Sequence, residues 1–255
     1  MAEPIHRADS RHAALRALPL LDLTNLDESC DEGAIETLCR RARTPAGPVA
    51  AVCVYAKFVA QAKSLLTHSM VRVATVANFP AGAADPEGAA AEAKAAIGAG
   101  ADEVDVVFPY AAFLAGNETV ARELVRACRA AARPKLLKVI LETGKLGDAA
   151  AIRRAATLAI EAGADFVKSS TGKTEPGATL PAAAAMLDAI AAARPRRLWA
   201  GLKVSGGIRT LSEATGYMAL AEQKLGPEFL SPATFRIGAS RLLDDILAAL
   251  QLPGE

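Results

Sequence analysis

Lys168 ends an apolar run, Phe166-Val167-Lys168, and leads straight into Ser169-Ser170-Thr171-Gly172-Lys173, a turn rich in hydrogen-bond donors. A lysine at the end of a buried strand is costly to keep charged, so it is either salt-bridged or used as a neutral amine nucleophile. Two internal echoes supply partners for the second use. Gly100-Ala101-Asp102-Glu103-Val104-Asp105 and Gly163-Ala164-Asp165-Phe166-Val167-Lys168 match at four of six positions, which superposes Asp105 on Lys168. Leu137-Lys138-Val139 and Leu202-Lys203-Val204 echo one another and add two more strand lysines. On a closed barrel, where alternate strands feed one interior layer, these patterns place three lysines and an aspartate inside. Plainer readings stay open: a strand lysine is more often a rim residue whose ammonium reaches water, and Asp105 can be a structural counter-ion.

The elements that must hold these groups alternate eight times. Short apolar runs fall at Leu20 to Leu23, Ala50 to Tyr55, Val71 to Val76, Glu103 to Phe108, Leu136 to Leu141, Phe166 to Ser169, Leu198 to Val204 and Phe235 to Gly238. They are β-branched and mostly continuous, as expected where both faces of a parallel strand are covered. Helical patterns separate them, opening at Asp27, Tyr55, Asp85-Pro86, Asn117, Asp148, Thr179, Thr210 and Ser240. Thr210-Leu211-Ser212-Glu213 is a capping box, and Gly226 closes that helix. The 255 residues match a single (β/α)8 barrel, for which about 250 is typical. Residues 1–18 read as an N-terminal helical extension and 251–255 as a short tail. An open doubly wound sheet is the alternative, but no GxGxxG or GxxxxGK[ST] opens a helix.

Charge and composition narrow the partners. Lys+Arg 29 against Asp+Glu 28, with the signs interspersed, favours a small-molecule ligand over nucleic acid or membrane. The longest stretch without a charge, Thr44 to Ala56, is shorter than the ~18 residues a spanning helix needs. Four cysteines without CxxC spacing and three unpaired histidines support neither a disulfide framework nor a zinc site. These features point to the cytosol, and a homodimer is compatible with them.

Seven segments together carry a family resemblance. Asp22 to Leu26 (DLTNL), Ala74 to Gly82 (ATVANFPAG), Gly100 to Tyr110 (GADEVDVVFPY), Leu136 to Gly144 (LLKVILETG), Gly163 to Lys173 (GADFVKSSTGK), Gly201 to Thr210 (GLKVSGGIRT) and Arg236 to Ser240 (RIGAS) resemble deoxyribose-phosphate aldolases, in the family's order and over nearly the whole chain. The resemblance implies a TIM barrel that works through a lysine Schiff base with no metal or other cofactor. It implies reversible cleavage of 2-deoxy-D-ribose 5-phosphate to glyceraldehyde 3-phosphate and acetaldehyde.

Residue by residue, it makes Lys168 the Schiff-base nucleophile and Asp105 with Lys203 the proton-relay pair. Asp22, Thr24, Cys53, Lys138 and Thr171 match pocket positions. Gly172, Lys173, Gly206, Gly207, Arg209, Gly238 and Ser240 fall where the family binds the substrate's phosphate. The like charge of Lys203 and burial are together expected to outweigh Asp105 and lower the pKa of Lys168, provided that Asp105 sits nearer Lys203 than Lys168. Departures are Ser169-Ser170 where relatives often have Thr-Ser, Val204-Ser205 after the strand-seven lysine, and Arg241 where many relatives have a second serine. The last residues, Leu252 to Glu255, carry no tyrosine, so proton transfer is expected to rest on Asp105, Lys203 and water. A different Schiff-base aldolase, or a catalytically idle sugar-phosphate binder, are the alternatives.

Overall fold

The continuous β-branched runs become eight parallel strands that close on themselves in a computed structural model describing residues 3–252. The strands are β1 (Leu21–Asn25), β2 (Ala51–Val54), β3 (Arg72–Ala77), β4 (Glu103–Val107), β5 (Leu136–Ile140), β6 (Phe166–Lys168), β7 (Gly201–Ser205) and β8 (Phe235–Ala239). Each pairs with its sequence neighbours, and β8 returns to pair with β1, so the sheet has no free edge and the open-sheet alternative is excluded. Met1 and Ala2 of the expected extension and Pro253 to Glu255 of the tail lie outside the described residues.

Helices wrap this barrel: α1 (Glu3–Ala17), α2 (Glu32–Arg41), α3 (Val59–Leu65), α4 (Pro86–Gly98), α5 (Tyr110–Leu114), α6 (Glu118–Ala132), α7 (Thr143–Leu146), α8 (Ala149–Glu161), α9 (Leu180–Ala193), α10 (Leu211–Leu225) and α11 (Leu242–Leu250). Their starts follow the expected chemistry. Asp85, Asn117, Asp148 and Thr179 each accept a first-turn N–H, and Thr210 with Glu213 completes the capping box. Several boundaries differ from expectation, among them the start of α11, capped at Arg241 and not Ser240. Asp31, not Asp27, caps α2; Tyr55 opens a 3₁₀ turn before α3; and β7 begins at Gly201 because Arg194–Arg196 form a 3₁₀ turn after α9. No helix among the described residues is long and apolar enough to cross a membrane.

The inner face of the barrel is sorted by register. Ladder pairs such as Asp105 with Lys138 and Lys138 with Phe166 put same-facing residues side by side. Strands of a closed barrel tilt, with a stagger of about one residue per strand at shear 8. The residue level with Asp105 two strands along is therefore not Phe166 but Lys168, two residues further. Carried round all eight pairs, this rule stacks three interior layers: Ala51, Glu103, Phe166 and Arg236 lowest, Asp22, Ala74, Lys138 and Lys203 next, then Cys53, Asp105, Lys168 and Gly238. One side is small and apolar, with Ala51, Cys53, Ala74 and Val76 clustering under Leu26. The other side is charged.

Candidate active site

The charged side is a continuous ion-pair network with almost no water contact. Asp22, Glu103, Asp105, Lys138 and Lys203 are fully buried, and Lys168 and Arg236 nearly so. Asp105 stands at its centre. Its Oδ2 accepts from Lys168 Nζ and from Lys203 Nζ, each at 2.8 Å, and its Oδ1 accepts from Lys138 Nζ at 2.8 Å. Lys203 also meets Asp22 Oδ2 at 2.6 Å, and Lys138 also meets Glu103 and, at 3.9 Å, Asp22. Arg236 backs both outer carboxylates, reaching Asp22 Oδ1 at 2.6 Å and forking onto Glu103 at 2.9 and 3.3 Å.

The three lysines are not equivalent, because they do not share the carboxylates equally. Lys138 touches three and Lys203 touches two, while Lys168 has only an oxygen of Asp105 that Lys203 also uses. Burial pushes every one of them toward the neutral amine. For Lys203 and Lys138 the carboxylates overcome burial and raise the pKa above the ordinary lysine value. For Lys168 burial wins, with Asp105 opposing it and Lys203 assisting, and the pKa falls. Burial also pushes Asp105 and Asp22 upward, but their cations hold both well below the usual carboxylate range. The Cys53 thiol is pushed up by burial, as befits a small neutral wall. One condition is not met, since Asp105 is equidistant from Lys168 and Lys203, yet the Lys168 pKa still falls, with burial its largest cause and the like charge of Lys203 assisting.

Above Lys168 the barrel opens into a cleft of about 300 Å³ at the C-terminal ends of the strands. Ten expected residues line it: Thr24, Lys168, Thr171, Gly172, Lys173, Gly206, Gly207, Arg209, Gly238 and Ser240. The other five, Asp22, Cys53, Asp105, Lys138 and Lys203, are not among the lining residues and are all fully buried. Arg241 joins the lining as the N-cap residue of α11.

Local structure fixes the mouth. Ser169 and Ser170 accept no role as free hydroxyls: both donate to the Ser205 carbonyl, and Ser205 Oγ returns a bond to the Ser170 carbonyl at 2.7 Å, stitching β6 to β7. Gly206 and Gly207 both have positive φ, and a Cβ on Gly206 would lie 2.3 Å from Ser170 Oγ. Gly238 leaves room for the Lys203 stem, since a Cβ there would meet its Cε at 3.0 Å. Lys173 Nζ donates to the Leu26 carbonyl at 2.7 Å, tying the loop after β6 to that after β1.

Sequence reasoning missed three buried residues. Arg236 and Glu103 carried a usable signal: each precedes an assigned residue, Gly238 or Asp105, by two positions, the period that keeps a strand side chain on the same face. Glu142 carried less. It sits in left-handed backbone, φ 55°, with its buried carboxylate accepting from the Thr171 N–H and hydroxyl, so it pins the turn after Lys168.

Comparison with known proteins agrees with this fold. Residues 17–244 match the model of the DeoC/LacD family aldolases. The chain belongs to the DeoC/LacD aldolase family. This aldolase is 51% identical over 242 residues to the deoxyribose-phosphate aldolase of Agrobacterium fabrum, covering 94% of this chain and 92% of that one. Its fold is shared with a Toxoplasma gondii crystal structure at TM-score 0.89 and 23% identity, over 96% of each chain. The tetrameric deoxyribose phosphate aldolase of Aeropyrum pernix superposes at TM-score 0.69 with 24% identity, again over 96% of each chain. As a family member, this aldolase is a carbon–carbon lyase.

Proposed function

We propose that this aldolase reversibly cleaves 2-deoxy-D-ribose 5-phosphate to D-glyceraldehyde 3-phosphate and acetaldehyde through a Schiff base on Lys168, in cytoplasmic breakdown of deoxyribose phosphates. One observation carries the reading. The lysine at the floor of the cleft is the one whose positive charge has the least support, and the two better-paired lysines lie below it.

The neutral Nζ of Lys168 adds to the aldehyde carbon of the open-chain sugar, and loss of water leaves an iminium. That cation draws the electron pair of the bond between carbons 2 and 3 onto carbon 2. The proton of the 3-hydroxyl passes by way of a water in the cleft beside Lys168 toward Asp105, and glyceraldehyde 3-phosphate leaves. The remaining enamine is protonated at carbon 2 through the same relay, with Lys203 holding Asp105 ionised, and hydrolysis frees acetaldehyde. Lys173, Gly206, Gly207, Arg209 and Ser240 hold the phosphate at the far wall. Glycine-lined loops after β7 and β8 suit close anion approach, and the start of α11 adds its positive end. That grip orients an aldehyde with no other anionic handle.

The test is borohydride reduction with acetaldehyde, followed by peptide mapping. Adduct mass is expected on Lys168, and Lys168→Arg is expected to abolish trapping and turnover, because an arginine offers no free amine. Adduct on Lys138 or Lys203 in the wild-type protein overturns the assignment. A substrate panel in the same assay separates this reaction from that of another Schiff-base aldolase, and tight sugar-phosphate binding without any adduct would indicate an idle binder.

A further inference from the structure

We infer that Arg236, which lines no part of the cleft, is a positioning residue that keeps Lys168 a neutral amine by supplying the fourth positive charge of the buried network. The inference rests on the Schiff-base reading above. Three buried carboxylates, Asp22, Glu103 and Asp105, face four buried cations, Lys138, Lys168, Lys203 and Arg236. Three positive charges suffice to balance three negative ones. The fourth cation is surplus, and in an interior closed to solvent a surplus charge is expelled by deprotonation. Arg236 cannot lose its proton in a protein, so the proton leaves a lysine. Lys168 is that lysine, having the smallest share of carboxylate.

The surroundings of Arg236 leave it little other work. Its guanidinium is spent on Asp22, on Glu103 and on the Pro232 carbonyl, with the Phe166 ring 5.7 Å away. Lys203 is its ladder partner on β7, and half-exposed Arg72 approaches Glu103 from below at 3.7 Å. Lys168, in turn, is faced by Asp105, Lys203 and Cys53. Without Arg236, Asp22 and Glu103 would draw more fully on Lys203 and Lys138. Asp105 would then be left with charge to spare for Lys168, and the amine would hold its proton.

Charge counting makes opposite predictions for the two partners, which a merely structural role does not. The readout is the pH at which the rate of borohydride trapping with acetaldehyde reaches half its maximum. Arg236→Gln is expected to move that midpoint up by about one pH unit, the order for one unit charge removed one ion-pair shell away at an effective dielectric near 20. Glu103→Gln is expected to move it down. The double variant, with both charges gone, is expected to return close to wild type. If Arg236→Gln fails to fold, as melting would show, Glu103→Gln and the double variant still carry the test. A midpoint that stays put in Glu103→Gln, or moves the same way in both single variants, overturns the inference. Absence of a Lys168 adduct in the wild-type protein would instead overturn the Schiff-base reading itself.

Discussion

At the scale of single residues, the distinction between a nucleophile and a counter-ion is one of sharing. Lys168 and Lys203 are each 2.8 Å from the same oxygen of Asp105, yet their pKa values move in opposite directions. The difference is Asp22, which Lys203 reaches at 2.6 Å and which is absent from the ion-pair partners of Lys168. Replacing Lys203 by leucine removes a like charge and leaves that Asp105 oxygen to Lys168 alone. Both changes favour the ammonium form, so the pKa of Lys168 rises, its neutral fraction at pH 7 shrinks, and turnover falls. Activity is expected to recover in part as pH climbs through the new value. The pH profile of kcat/KM for both proteins decides it: a loss of activity with no upward movement of the lower limb would make Lys203 a proton carrier instead.

At the scale of elements, the turns after β6 and β7 meet where the backbone comes too close for side chains. Gly206, with φ +94°, lies against Ser170 Oγ and against the Gly177 backbone. Gly206→Ala is expected to cost about 1–3 kcal/mol of stability through the strained φ and the forced shift of Ser170. KM for the phosphorylated sugar should rise more than that for the plain sugar, read from kinetics and chemical denaturation. The rim offers a second test. Ser240 is exposed in the cleft just before α11, with Arg241 beside it. Ser240→Asp would set a negative charge against the substrate's own, collapsing the preference for phosphorylated over plain deoxyribose. An unchanged preference would place the phosphate elsewhere.

At the scale of the whole molecule, a buried lysine with a lowered pKa is a cost to folding. The unfolded chain holds that proton up to about pH 10.4, whereas the folded chain gives it up earlier. Between the folded and unfolded values the unfolded state binds more protons, so stability rises with pH there, and below the folded value the full cost is present. Lys168→Leu is therefore expected to be inactive but more stable than wild type at pH 7, by ~2–4 °C in Tm, the response of a chain this size to about 1 kcal/mol. Calorimetry at pH 7 and near pH 10 checks the cause, because the gain should shrink as pH rises past the folded value toward the unfolded one. A gain that is flat in pH would point to packing alone.

How much of this was legible beforehand follows from the range over which each choice is made. Strand and helix identities were written locally, in continuous β-branched runs and in caps such as Asp85, Asp148 and Thr210, because hydrogen bonds within one turn decide them. The repeat that paired Asp105 with Lys168 was legible too, since the shear of a closed barrel adds two residues over two strands and brings them level. Arg236 and Glu103 lay on the right faces by the period of two, but nothing local marks a buried arginine as charge balance rather than rim. The segments alone determined a barrel with a lysine and an acid inside it. Only the tertiary structure decided which carboxylate oxygen each cation shares, and so which lysine is left to be neutral, because that depends on eight registers closing at once in a space shut off from solvent.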